Sequence, residues 1–170
     1  NELNIIGGHN HENVMTAVGI TLSLGVPMNV IAEACKEFKA VEHRIEFVRE
    51  RFGVTYYNDS KGTNPDAAIQ AIKAMPGPTL LIAGGYDKNI PYDVLGPEIC
   101  EHVKKLFLCG TTAPKIRAAV EKCAGQKPEM VDCGHFDAAV RAAAAAAEAG
   151  DVVLMSPASA SFDEFPNFMV

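Results

Sequence analysis

Apolar residues recur at helical spacing in two early stretches and then change period. Val14, Val18, Thr21 and Leu22 predict a helix that Gly25 and Pro27 bring to a stop. Met28, Ile31, Cys35 and Phe38 predict a second amphipathic helix, with Pro27 acceptable at its first position. Ahead of both, Leu3-Asn4-Ile5-Ile6 reads as a short strand that runs into Gly7-Gly8 and the polar cluster His9 to Asn13. Two helices and a scrap of strand cannot bury both faces of anything, so this part reads as the end of a domain, with a boundary near residue 40. Beyond it, Ile45, Phe47 and Arg49 alternate with Arg44, Glu46 and Val48. Val54 to Tyr57 then forms a second strand after Gly53, which makes a hairpin.

From Pro65 the period is helical again, with Ala68, Ile69, Ile72 and Met75 on one face and Pro76-Gly77-Pro78 as the stop. The rest alternates: strand Thr79 to Ala83, helix around Tyr92 to Lys104, strand Leu106 to Cys109, helix Pro114 to Cys123. Strand Met130 to Cys133, helix Asp137 to Ala149 and strand Val152 to Met155 follow. Continuous apolar strands separated by helices predict an α/β fold, Rossmann-like, with a mostly parallel sheet covered on both faces and an antiparallel hairpin at its start. The alanine run 142–147 is strong helix former rather than low complexity.

Composition narrows the function classes. Residues of apolar type make up 48% and charged residues 21%, ordinary for a globular core, and a formal net charge of -6 argues against a general binder of phosphate backbones. Small anionic ligands remain compatible, since a local lysine outweighs a weak global field. Cys35, Cys100, Cys109, Cys123 and Cys133 show no CxxC pairing and sit mostly in apolar runs. They read as buried thiols in a reducing, cytosolic setting, with no metal site. No run approaches the ~18 apolar residues of a membrane span. The start at Asn1 and the stop at Val170 read as those of a piece of a longer protein.

In a parallel sheet the segments that follow the strands gather on one edge. Here they are Asp59 to Asn64, Gly84 to Lys88, Gly110-Thr111-Thr112, Cys133-Gly134-His135 and Ser156 to Ser161. That edge is rich in glycine, hydroxyl and lysine, suited to carboxylate or phosphate groups. Plainer readings stand beside this one. Gly84-Gly85 also reads as a strand-end turn, Lys88 as a solvated lysine, His43-Arg44 as a surface pair, His9 as a cap, and Asp59-Ser60-Lys61 as a polar turn. Neither a dinucleotide fingerprint nor a GxxxxGK[ST] phosphate loop occurs, and the Ser156 to Ser161 loop lacks the flanking glycines of a nucleophile elbow.

Four segments in order carry a resemblance to the Mur ligase family, over nearly the whole chain. Gly8-His9-Asn10-His11-Glu12-Asn13 resembles its GxHNxxN segment, and His43-Arg44-Ile45-Glu46 its HRxE segment. Asn58 to Asn64 is similar to the NDSKxTN segment of the D-glutamate-adding branch, and Ser156 to Phe165 to its SPAxAS(F/L)DxF segment. The resemblance implies that residues 1–39 are a helical remnant of a central ATPase domain and residues 40–170 a truncated C-terminal, amino-acid-binding domain. It implies ATP-dependent amide formation between D-glutamate and UDP-N-acetylmuramoyl-L-alanine through an acyl phosphate, in peptidoglycan precursor synthesis. Asn10, Asn13, His43, Arg44 and Asp59 would serve the nucleotide, and Lys61 the phosphates or the reacting acyl group. Thr63, Lys88, Ser161, Phe162 and Phe168 would hold D-glutamate. Mg2+ would be held by residues outside this chain. Gly62 stands where many members carry Ala, a small change expected to be tolerated. Lacking the phosphate loop, the 170 residues are expected to be inert by themselves. The alternatives are a sister ligase for another amino acid, or a stand-alone Rossmann-like module that binds a nucleotide or acidic metabolite without catalysis.

Overall fold

A computed structural model describes residues 3–39 and 41–166. Helices α1 (Gly8–Ser23) and α2 (Met28–Glu37) come first, then strands β1 (Glu46–Arg51) and β2 (Val54–Asn58). They are followed by α3 (Pro65–Ala74), β3 (Thr79–Gly84), α4 (Leu95–His102), β4 (Val103–Cys109) and α5 (Ala113–Glu121). The last elements are β5 (Glu129–Gly134), α6 (Phe136–Ala146) and β6 (Val152–Met155). The sheet has the order β1-β2-β6-β3-β4-β5; β1 pairs antiparallel with β2 and every other pair is parallel.

The period of two along the strands builds two cores. Leu81, Leu106, Leu108 and Leu154 face one side, with Ala68, Ile72, Leu95, Ile99, Ile116 and Val120 from α3, α4 and α5. Leu80, Ile82, Phe107 and Val153 face the other, with Ala139 and Ala143 of α6. The chain therefore steps outward from β2 to β5 with helices on one face and returns through α6 on the other, as right-handed crossovers require. Its reversal inserts β6 between β2 and β3, which brings the carboxyl ends of β2, β6 and β3 side by side.

The elements match the sequence pattern with four corrections. Among the described residues Leu3 to Ile6 forms no strand; Asn4 makes an isolated bridge to Lys39 and its side-chain amide donates to Lys36 O at 2.6 Å. Pro27 is the N-cap of α2 rather than its first residue. The fourth helix covers only Leu95–His102: β-branched Val103 is buried and already extended, and Lys104 turns outward to Asp151 at 2.9 Å. The alanine-rich helix ends at Ala146, where Ala147 is extended. The cysteines are all free, but of the five Cys109 alone is fully buried. No helix among the described residues is long and apolar enough to cross a membrane.

Candidate functional site

Asp59 follows β2 directly, and the parallel register Asn58↔Met155 sets it against the end of β6. Its side chain is buried, at 3% exposure. One carboxylate oxygen accepts the Ile45 N–H at 3.2 Å and the other accepts the Ser156 hydroxyl at 2.6 Å. Burial pushes the Asp59 carboxyl above its usual range, and the Ser156 hydroxyl, the Ile45 amide and the charge of Arg44 offset part of that rise. Gly62 closes the turn by donating its N–H to Asp59 O at 2.8 Å, and there a Cβ would stand 2.2 Å from Asp59 Oδ2 and 2.8 Å from Ser156 Oγ.

This buried pair supports an unusual backbone. His43 and Ile45 take φ of 66° and 46°, a region that costs a non-glycine residue roughly 1–3 kcal/mol. The Ile45 side chain is in the core and its N–H is held by Asp59. The His43 carbonyl accepts the Lys61 N–H at 3.0 Å, and its ring nitrogen meets Asn58 Nδ2 at 3.0 Å. Arg44, between them, is thus presented from a fixed backbone. Arg44 lines a groove of about 490 Å³ together with Asn10 and Asn13 of α1 and an apolar wall that includes Val14, Ile31 and Phe38. His9, beside Gly7, has its proton affinity lowered by burial first and by Arg44 second.

The neighbouring strand ends complete the edge. Lys61 and Lys88 are exposed, and the Lys88 ammonium donates to Thr63 O, so the turn after β2 and the turn after β3 meet across β6. Gly84 and Gly85 are more than a loose turn. Both have positive φ, and a Cβ would lie 1.9 Å from Cys109 O and 2.3 Å from Ala160 O. The Ser156 to Ser161 loop is held from below by Ser159, whose hydroxyl bonds Tyr92 OH and Thr112 Oγ1, each at 2.8 Å. Ser161 and Phe162 are exposed above it.

The structure thus brings Asp59, Lys61, Thr63, Lys88 and Ser161 to three adjacent strand ends, and Asn10, Asn13 and Arg44 to one groove. His43 stands between the two groups, and Phe168 lies outside the described residues. Sequence reasoning placed Ser156, Ser159 and Thr112 on this edge without giving them a role, and passed over Tyr92; the signal available was hydroxyl residues immediately after apolar strands, which must find partners once buried. Among the described residues, the side chains grouped closely enough for a cation are Glu98, Glu101 and His102. They lie at the other sheet edge, just before β4, and Glu98 is already paired with Lys73 at 2.7 Å, so they have no part in this site.

The fold is one that known proteins share. Residues 43–159 match the family model described as Mur ligase, glutamate ligase domain. The chain belongs to the Mur ligase family. It is 51% identical, over 99% of its length, to the UDP-N-acetylmuramoylalanine--D-glutamate ligase of Lachnoclostridium phytofermentans, of which it covers 37%. It spans about 37% of the length of the curated relatives it matches. Two solved Mur ligases have the same fold. MurF from Acinetobacter baumannii matches with a TM-score of 0.70 at 19% identity, over 98% of this chain and 38% of that one. The UDP-N-acetylmuramate-alanine ligase MurC from Thermotoga maritima matches with a TM-score of 0.69 at 15% identity, over 92% of this chain and 36% of that one.

Proposed function

We propose that the chain is the amino-acid-binding end of an ATP-dependent ligase that joins D-glutamate to UDP-N-acetylmuramoyl-L-alanine in peptidoglycan precursor synthesis. Residues 1–39 then belong to a central nucleotide-binding domain and residues 40–170 to the domain that follows it. The observation that carries the reading is the meeting of the NDSKGTN, GGYDK and SPASAS segments at three adjacent strand ends, closed by the Lys88 to Thr63 bond. The chain is 51% identical to a D-glutamate ligase over 99% of its length, a stretch that includes all of these segments.

The chemistry fits the residues. A dicarboxylic amino acid needs a cation and hydroxyl or N–H donors for each end, and Lys88, Thr63, Ser161 and the backbone at Phe162 offer them. In the groove, Asn10, Asn13 and Arg44 offer amide and guanidinium groups beside an apolar wall, which fits an adenine and ribose, with His43 and Asp59 behind Arg44. ATP supplies the phosphoryl group that activates the acceptor carboxylate, and Mg2+ would be held by residues beyond those described. Lys61, exposed at the end of β2, stabilises the negative charge that grows as the D-glutamate amine attacks. Positioning and charge account for the rest of the rate.

Titration of the 15N-labelled 170-residue chain, followed residue by residue, tests this reading. D-Glutamate should move the amides of Thr63, Lys88 and Ser161 with millimolar affinity, and ATP those of Asn10, Asn13 and Arg44. The chain by itself should release no phosphate from ATP. Tight binding of a nucleotide with no response to D-glutamate would assign it instead to the class of stand-alone nucleotide modules.

A further inference from the structure

The segment after β6 crosses the sheet instead of leaving it. Ala160 pairs with Tyr86 at the end of β3, where the Tyr86 N–H donates to Ala160 O at 2.7 Å. The rings of Tyr86 and Phe162 meet edge to face at 6.2 Å. Asp163 reaches the end of β4, and its Oδ2 accepts the Thr111 N–H at 3.2 Å. The approach is close enough that a Cβ on Gly110 would stand 2.4 Å from that oxygen. Glu164 reaches past β5, and its two oxygens lie 3.0 and 3.1 Å from the N–H of Phe136, the first residue of α6. Phe165 packs edge to face on Phe136 at 6.1 Å. A turn, with the N–H groups of Glu164 and Phe165 donating to Ser161 O at 3.1 and 2.9 Å, sets the path between these points.

Sheet order β6-β3-β4-β5 is therefore also the order in which this strap is fastened. The strap changes what the edge can bind. Helix N-termini that follow parallel strands attract anions through their free N–H groups. At α6, and at the turn leading into α5, that role is taken by the chain's own carboxylates. At α3 the cap is the neutral Asn64 side chain, and the turn before it carries Lys61.

We propose that Asp163 and Glu164 are positioning residues for the amino-acid substrate. By fastening the strap over β4 and β5 they hold Ser161 and Phe162 beside the Tyr86 to Lys88 segment. They also leave one anion-accepting crevice, at the ends of β2 and β3, and so direct an acidic amino acid there. The proposal rests on the amino-acid site described above and assigns residues that never touch the ligand.

The test compares the 170-residue chain with its Asp163→Asn/Glu164→Gln double variant, which keeps shape and removes charge. Two measurements are made: amide hydrogen exchange, and titration with D-glutamate. The double variant should exchange the amides of Glu164, Phe165 and Phe136 roughly tenfold faster and bind D-glutamate roughly tenfold more weakly, while the amides of β3 and β4 keep their protection. Loosening of β3 and β4 in step with the strap would mean a general structural role and would overturn the assignment. So would affinity within twofold of the unsubstituted chain. Absence of any D-glutamate response in the unsubstituted chain overturns the amino-acid reading and with it the positioning role, and exchange then reports on the latch alone. A normal response in both chains overturns the positioning role and leaves the amino-acid reading standing.

Discussion

Asp59 carries an acid where the core offers it little water, and that sets a pH dependence opposite to the usual one for a carboxylate. Its folded pKa is raised by burial, so its contribution to stability is full below the unfolded value of about 4 and is lost as pH rises through the folded value. Asp59→Asn keeps an acceptor for Ile45 N–H and cannot ionise. The melting temperature of the variant relative to the parent should therefore rise between pH 4 and pH 7, as read by circular dichroism at each pH; an unchanged difference would contradict the buried placement. Gly62 is the companion case. With Cβ demanding the space of Asp59 Oδ2, Gly62→Ala should turn the carboxyl outward and return its pKa toward the ordinary range, measured by carboxyl 13C titration. The Gly-for-Ala change expected to be tolerated there thus leaves the space that Asp59 Oδ2 fills. The motif itself was legible, because an acid, two hydroxyls and a lysine crowd a strand-to-helix turn. The inward turn of Asp59 was not, because it depends on Ser156, 97 residues away, and on the β2–β6 register that brings the two together.

Elements with strong local signals were read correctly, and those whose boundary depends on tertiary neighbours were not. Asn64 followed by Pro65 announces a helix start, and the Asn64 side chain accepts Ala67 N–H at 2.9 Å. Asn64→Ala should cost about 1 kcal/mol, a fall of ~2–4 °C in melting temperature. The central strand is as clear: Val152 to Met155 is apolar throughout and lies between β2 and β3. Leu154→Ala, at a position with no exposure, should cost about 2–5 kcal/mol in urea unfolding at neutral pH. By contrast, Val103-Lys104 reads as helix because lysines at a helix end look ordinary. The carboxylates that hold Lys104 at the start of a strand, Glu148 and Asp151, are 44 and 47 residues away in the sequence. The strap was invisible for the same reason: nothing local says that Asp163 and Glu164 will meet the amides of Thr111 and Phe136.

At the scale of the molecule, stability is divided unevenly. Helix α1 buries none of its residues and α2 buries Ile31 alone, whereas β3 is buried along its whole length and β4 at all but two residues. Met15, Ile20, Leu22, Met28 and Val30 leave a large apolar surface on the first two helices. The local free energy of opening follows the buried apolar area that opening exposes, so α1 and α2 form the unit that opens first. What ties them to the α/β unit is modest: Ile6 packed against the core of that unit, the close approach of Gly7 to Ala74, and the groove shared with Arg44. His9 adds a pH term, because its lowered pKa makes the folded state bind a proton less readily than the unfolded one, so the stability it lends is present above the unfolded value near 6.5 and is lost as pH falls through the folded value. Native-state hydrogen exchange should therefore show two tiers. Amides of α1 and α2 should exchange faster than those of β3, β4 and β6 at pH 7.5, with the gap widening at pH 5.5 after correction for intrinsic rates. Uniform protection across both units would mean that the first two helices are held by the sheet as firmly as α3 to α6, and that residues 1–39 and 40–170 act as one domain.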